Sequence, residues 1–203
     1  MPVTDTERAV LIEELLDAVP EEIVNSIGPN DNLARGRCIM ATATGISALR
    51  YFGIQAEPQP VAVEIFNPAM TEWLKEGSPG GLEEAKKRNC HVVAIDAQNE
   101  SKPGGYNGHL VVRLDNYLLD LDMRQFVRPH KNIAMPVSVI WEVKDDFDDG
   151  GLQVYEKNGC WVTYEKLDNP GYKQAPDWRK RDQGDRARTT GRVIRRMRKA
   201  AET

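Results

Sequence analysis

The sequence predicts an α+β fold, and three observations predict it. Apolar residues recur at helical spacing up to Phe52, short apolar runs of strand type follow from Pro60 to Glu165, and turn residues such as Asn158-Gly159 separate those runs. Helices first and antiparallel strands after is the order of an α+β domain, and 203 residues suffice for one real core.

The elements follow in order. Thr4 with Glu7 makes a capping box, and Ile12, Leu15, Leu16 and Val19 continue a helix that Pro20 should stop; a second short helix is expected from Glu21 to Ile27. "GPNDN" (Gly28 to Asn32) is a turn cluster. From Arg37 or Cys38 to Phe52 the pattern is helical again, with Ala41, Ala43, Gly45, Ser47 and Ala48 offering small surfaces that allow close packing on several sides, and Gly53 ends it. Strands are expected at Pro60 to Phe66, His91 to Asp96, Leu110 to Leu114, Tyr117 to Asp122 and Val137 to Val143, with two short helices, "NPAMTEWLKEG" and "LEEAKKRN", before the second of them. A last hairpin, Leu152 to Glu156 and Cys160 to Glu165, closes through Asn158-Gly159. Beyond Pro170, Val193, Ile194 and Met197 give a C-terminal helix only a thin apolar stripe. The expected division is a domain over 1–172 and a basic helical extension over 173–203, docked weakly or outside the core.

Charge is segregated. From Arg179 to Thr203 there are ten Lys and Arg against three Asp and Glu, although the net charge of the chain is -4. Such a run is most often a solvated face; as a partner-binding element it would contact nucleic acid or an acidic protein by charge alone. The N-terminal stretch lacks a basic leader with an apolar run, no segment reaches the roughly 18 apolar residues of a membrane span, and three widely spaced cysteines suit reduced thiols. The expectation is a cytoplasmic protein with no membrane contact, in which any special cysteine is special for its reactivity.

Cys38 falls in the first turn of the expected buried helix, where unpaired N–H groups and the helix dipole favour a thiolate. His109 opens one arm of a hairpin and can take the thiol proton and return it to a leaving group. Asp120 and Asp122 lie on the other arm, and either can orient the ring. Taken singly, each has an ordinary structural explanation: a small buried thiol, a satisfied histidine, a wet strand face. Together, in the order Cys, His, Asp, they point to a site. Strand periodicity puts residues 109, 111 and 113 on one face with 118, 120 and 122. A two-residue turn at Asp115-Asn116 sets His109 opposite Asp122, and a four-residue loop brings Asp120 opposite instead.

Other candidates are weaker. Asn32 could lend an amide to an oxyanion hole, but a turn role suits it better, and the Cys38 backbone N–H is the safer donor. Cys90 and His91 are strand neighbours facing opposite sides. Cys160 reads as core and His130 as loop. "DDFDDGG" (Asp145 to Gly151) lacks the alternating ligands and distal glutamate of a calcium loop and reads as a solvated acidic turn. Trp73 and Trp141 could line a groove, though core is the commoner fate of such residues.

"RGRC" ahead of a helix, followed by "LRYFGIQAEPQPVAV", resembles the nucleophile region of the transglutaminase-like cysteine enzymes, and "GHLVV" and "YLLDLDMRQF" resemble their histidine and aspartate strands. The arylamine N-acetyltransferases, a related branch on the papain-like fold, are similar in the Arg-Gly before the cysteine and in Tyr-Leu-x-Asp. The second glycine typical of that branch is absent here. The likeness spans Arg35 to Phe126. It implies a papain-like fold, Cys38 as nucleophile, His109 as general base and acid, Asp120 rather than Asp122 as orienter, and acyl transfer from an amide or ester through a Cys38 thioester. A peptide, amide or other acyl substrate is then expected and no cofactor or metal is required; a protease, amidase or deamidase is favoured over a transferase. The rival expectation is a catalytically inactive interaction module on the same fold, with the basic tail as its contact.

Overall fold

In the computed structural model residues 4–27, 37–95, 106, 108–168, 170–175, 178 and 183–202 are described. Helix α1 (Asp5–Ile27) begins at the expected capping box, Thr4 N donating to Glu7 Oε2 at 2.8 Å and Glu7 N to Thr4 Oγ1 at 3.3 Å. It does not stop at Pro20, which lies inside one continuous helix. A proline deprives the carbonyl four residues back of its donor. That carbonyl belongs to Leu16, and Ser138 Oγ donates to it at 2.7 Å. The replacement hydrogen bond comes from 122 residues away, beyond the reach of any local pattern.

Helix α2 (Arg37–Tyr51) is buried nearly all round, from Cys38 through Gly45 to Leu49. A side chain at Gly45 would place a Cβ 2.5 Å from Leu121 Cδ1, so the glycine is what lets α2 lie against the end of β4. Strands β1 (Glu57–Phe66), β2 (Val92–Ile95), β3 (His109–Leu114), β4 (Tyr117–Asp120), β5 (Val139–Glu142), β6 (Gln153–Lys157) and β7 (Cys160–Lys166) form one antiparallel sheet in the order β5-β4-β3-β1-β7-β6, with β2 also pairing β1. Helices α3 (Pro68–Lys75) and α4 (Gly81–Lys87) fill the connection from β1 to β2. Helix α5 (Gln183–Ala201) packs on α1 and α2.

β1 starts three residues earlier than expected and carries Pro58 and Pro60. The Pro60 carbonyl accepts from Leu167 N, so its nitrogen also faces away from β3 and no bond of the β1–β3 ladder is lost. The β6–β7 turn is as expected, with Asn158 at φ 53° and Gly159 at φ 73°.

Among the described residues an apolar core lies on each side of the sheet. On one side α1, α2 and α5 meet Val112, Leu114, Leu119 and Leu121; on the other Val61, Val63, Ile65, Val111, Leu118 and Tyr164 meet Phe126 and Phe147. Covering both faces makes "HLVVRL" nearly continuous in apolar residues instead of alternating. Val193 and Met197 of α5 are fully buried in the first core, so the helix is part of it and not a loose appendage. Among the described residues no helix is long and apolar enough to cross a membrane.

Candidate active site

The β3–β4 hairpin pairs Leu114 with Tyr117 and Val112 with Leu119, which is the two-residue turn, Asp115 taking the left-handed φ of 50°. Continued, that register would put Asp122 opposite His109. β4 ends at Asp120, however, and the chain turns at Asp122 into a short 3-10 segment, Met123–Phe126. His109 therefore reaches the diagonal carboxylate: Nε2 lies 2.7 Å from Asp120 Oδ2. Register and partner turn out to be separate questions.

Asp120 is saturated with donors. Besides the imidazole it accepts from Tyr164 Oη at 2.9 Å and, on Oδ1, from the Asp122 N–H at 3.1 Å. Tyr164 accepts in turn from Trp141 Nε1 at 3.4 Å. His109 and Asp120 are both fully buried, and the His109 ring stands edge-on to Phe126 at 5.3 Å.

Cys38 comes to this pair from the helical side. Its thiol adjoins the His109 ring closely enough to favour the protonated imidazole. Two contacts fix where α2 sits. Gly45 permits the close approach, and Thr42, one turn beyond Cys38, donates its hydroxyl to the Leu110 carbonyl at 2.8 Å, one residue past His109. That carbonyl would face residue 121, after β4 has ended, so it lacks a strand partner and the threonine supplies one.

The electrostatics follow from this packing. Burial opposes a charged imidazole, but the Asp120 charge and hydrogen bond and the adjoining Cys38 outweigh it, and His109 is pushed up to about 10. Asp122 is also pushed up, out of the ordinary carboxyl range. Burial chiefly, and Asp120 in addition, raise it to about 7 against the opposing pull of His109, Arg37 and Arg124; its Oδ2 is buried without a hydrogen-bond partner.

Gln125, in the 3-10 segment, also faces the ring: its Nε2 lies 3.0 Å from His109 Nδ1 and donates to the Asp122 carbonyl at 3.1 Å. Tyr106, Tyr172 and Trp178 stand around Cys38, with Tyr106 edge-on to Tyr172 at 6.1 Å and Tyr172 edge-on to Trp178 at 4.7 Å. Tyr106 Oη donates to the His109 carbonyl at 3.0 Å. Gly108, at φ 134°, is what admits this tyrosine, since a Cβ there would sit 2.9 Å from its hydroxyl.

Of the remaining candidates, those among the described residues do not join the site. Asn32 and the "RG" of "RGRC" lie outside the described residues. Cys90 is half-buried beside α4, Cys160 is in the second core, and burial pushes both thiols up. His130 is exposed. Trp73 donates to the Pro79 carbonyl, and Trp141 stacks on Tyr155 at 4.6 Å and reaches the site through Tyr164. In the acidic turn Asp146 accepts from Gln153 and Asp148 pairs with Arg113 and Lys166. Among the described residues no cluster of three His, Cys, Asp or Glu is placed to hold a metal. Sequence reading missed Thr42, Tyr106, Gln125 and Tyr164; only Thr42, four residues after Cys38 and thus on its face of the helix, carried a signal. No family model, curated protein or solved structure matches the chain.

Proposed function

We propose that the chain is a transglutaminase-like cysteine enzyme on a papain-like fold, hydrolysing amide or ester bonds through a Cys38 thioester. The observation that carries this reading is the fully buried His109–Asp120 pair, with Cys38 beside it at the start of α2. Helix, strand and adjacent strand supply the three residues in that order, which is the arrangement the resemblance implies.

In this reading His109 takes the thiol proton, and the thiolate attacks the carbonyl carbon. The imidazolium gives its proton to the departing amine or alcohol, leaving the acyl group on sulfur as a thioester. Water then enters, loses a proton to His109 and attacks the thioester carbonyl; the acid leaves, and the proton returns to sulfur. Asp120 holds the ring and stabilises its charged form, while Tyr164 and the Asp122 N–H keep the carboxylate in place.

A second reading, a non-catalytic module on this fold, draws on the burial of Cys38, only 5% exposed among Tyr106, Tyr172 and Trp178. Alkylation separates the two. Exposure alone would label the half-buried Cys90 first. An activated thiol reverses that order, so at pH 6 to 7 iodoacetamide is expected to modify Cys38 ahead of Cys90 and Cys160 in the folded protein. A Cys38 that reacts only after denaturation, or no faster than the others, overturns the enzyme reading.

A further inference from the structure

The cations of α5 divide by the direction they face. Arg192 pairs with Glu22, and Arg196 reaches Glu14 and Glu21, so α1 answers both. Arg188, Arg195 and Lys199 recur at spacings of seven and four, which keeps them on one stripe of the helix, and all three are exposed. This stripe points away from Thr189, Thr190, Val193 and Met197, which α5 buries. Among the described residues Arg188 pairs only with Asp185 of its own helix, and Arg195 and Lys199 pair with no carboxylate.

Two features set the stripe apart from an ordinary solvated face. Gly191 lies on it between Arg188 and Arg195, although glycine is unfavourable inside an exposed helix. Packing does not demand it, because the nearest side-chain atom to a Cβ placed there would be Arg195 Nη1, at 3.8 Å. The missing side chain lets a ligand's backbone come down to the helix between two guanidiniums. Beside the C-terminal end of the stripe stands Tyr51, the last residue of α2 and 53% exposed. Arg198 donates to its hydroxyl and lies 5.4 Å over its ring.

We propose that this outward face of α5, together with Tyr51, binds a single strand of nucleic acid, independently of the chemistry at Cys38. From Arg188 to Lys199 the helix rises about 16 Å, the length of about five nucleotides of one strand. The cations meet phosphates, and the exposed ring of Tyr51, held by Arg198, gives one base a surface to stack on. A duplex fits less well. α5 is held by α1 and α2 and is not free to enter a major groove, and paired bases do not reach Tyr51. An acidic protein would satisfy the cations and leave the tyrosine without a role.

The test is the binding of a short fluorescent single-stranded oligodeoxynucleotide to the full chain, read by anisotropy over a range of salt. Substituting Arg188→Gln, Arg195→Gln and Lys199→Gln together is expected to weaken binding about tenfold or more at low salt. The fall of log affinity with log salt should become shallower by about 2, from three contacts at about 0.7 each. Lys86→Gln, Lys87→Gln and Lys157→Gln remove the same charge from exposed positions elsewhere and are expected to leave that slope nearly unchanged. An equal loss in this second variant, or no binding by the wild type, overturns the proposal. Wild type is expected to prefer the single strand to a duplex of the same length, and Tyr51→Ala to lose that preference. No preference, or one that survives Tyr51→Ala, overturns the single-strand assignment. Displacement of the oligonucleotide by polyglutamate as effectively, charge for charge, overturns it in favour of an acidic protein. A last measurement needs no variant: bound oligonucleotide is expected to shield Lys199 from acetylation and leave Lys86 reactive, and a Lys199 equally reactive with and without it overturns the proposal.

Discussion

Asp120 and Asp122 are two residues apart and both are buried, yet their surroundings give them opposite characters. Asp120 has three donors, and Asp122 has an oxygen with none. Asp120→Asn is therefore expected to cut the reactivity of Cys38 at pH 6 to 7 by about tenfold or more, the effect of losing one unit of imidazole basicity, and Asp122→Asn far less. Alkylation rates of the two variants check this; a larger loss in Asp122→Asn would reassign the orienting role. The stability of the fold separates them too. A carboxyl at about 7 in the folded chain and near 4 in the unfolded one binds its proton more tightly when folded. Its contribution is thus fully present below pH 4, falls away as the pH rises to 7 and is absent above, a change on the order of a few kcal/mol. Denaturant unfolding at pH 4.5 and 8 is expected to show that fall in wild type relative to Asp122→Asn. Cys38, His109 and Asp120 were legible in the sequence because their chemistry shows in their type and order. Tyr164 and Gln125 were not, since tyrosine and glutamine have many ordinary uses, and Tyr164 is 44 residues from the carboxylate it serves.

Elements were legible where the cause is local. The capping box and the Asn158-Gly159 turn act within four residues and stand as the sequence implied, and the hairpin around Asp115-Asn116 takes the two-residue form of the two that the sequence left open. The break at Pro20 was wrong because its remedy, Ser138, is remote, and the start of β1 was read late because two prolines disguise a strand that is open on one side there. α2 is the element on which the site most depends, and Thr42 is its tether to β3. Thr42→Val keeps the volume but strands the Leu110 carbonyl in the core, which costs about 1–3 kcal/mol. For a chain of this size the expected fall in Tm is about 2–4 °C per kcal/mol, read by calorimetry, with slower Cys38 alkylation as α2 loses its register against His109. Thr42→Ser, which restores the donor, is expected to recover the alkylation rate.

The whole molecule explains the segregated charge. α1 is acidic and α5 basic because they lie side by side: Arg192 pairs with Glu22, and Arg196 reaches Glu14 at 2.8 Å and Glu21 at 2.5 Å. Half-exposed pairs of this kind contribute at most about 1 kcal/mol each, so the buried Val193 and Met197 do most of the docking and the charges set its register. Part of the basic run is thus answered internally. Glu14→Gln with Glu21→Gln is expected to release Arg196 and lengthen retention on heparin, reversibly with salt. Retention unchanged by the double variant would mean that the α1 carboxylates do not mask the basic face. The division at residue 172 could not anticipate this arrangement, because a thin apolar stripe looks the same whether or not a partner helix awaits it.

The pairing of α1 with α5 also carries a consequence in time. Glu14 and Arg196 are 182 residues apart along the chain, and contacts of such long range form slowly, after the loop between them has been ordered. During synthesis the apolar stripe of α1 is made long before the helix that covers it, so this surface stays exposed while the sheet assembles. Its many carboxylates then serve a second purpose, keeping the waiting helix in solution by mutual repulsion until α5 emerges to neutralise them.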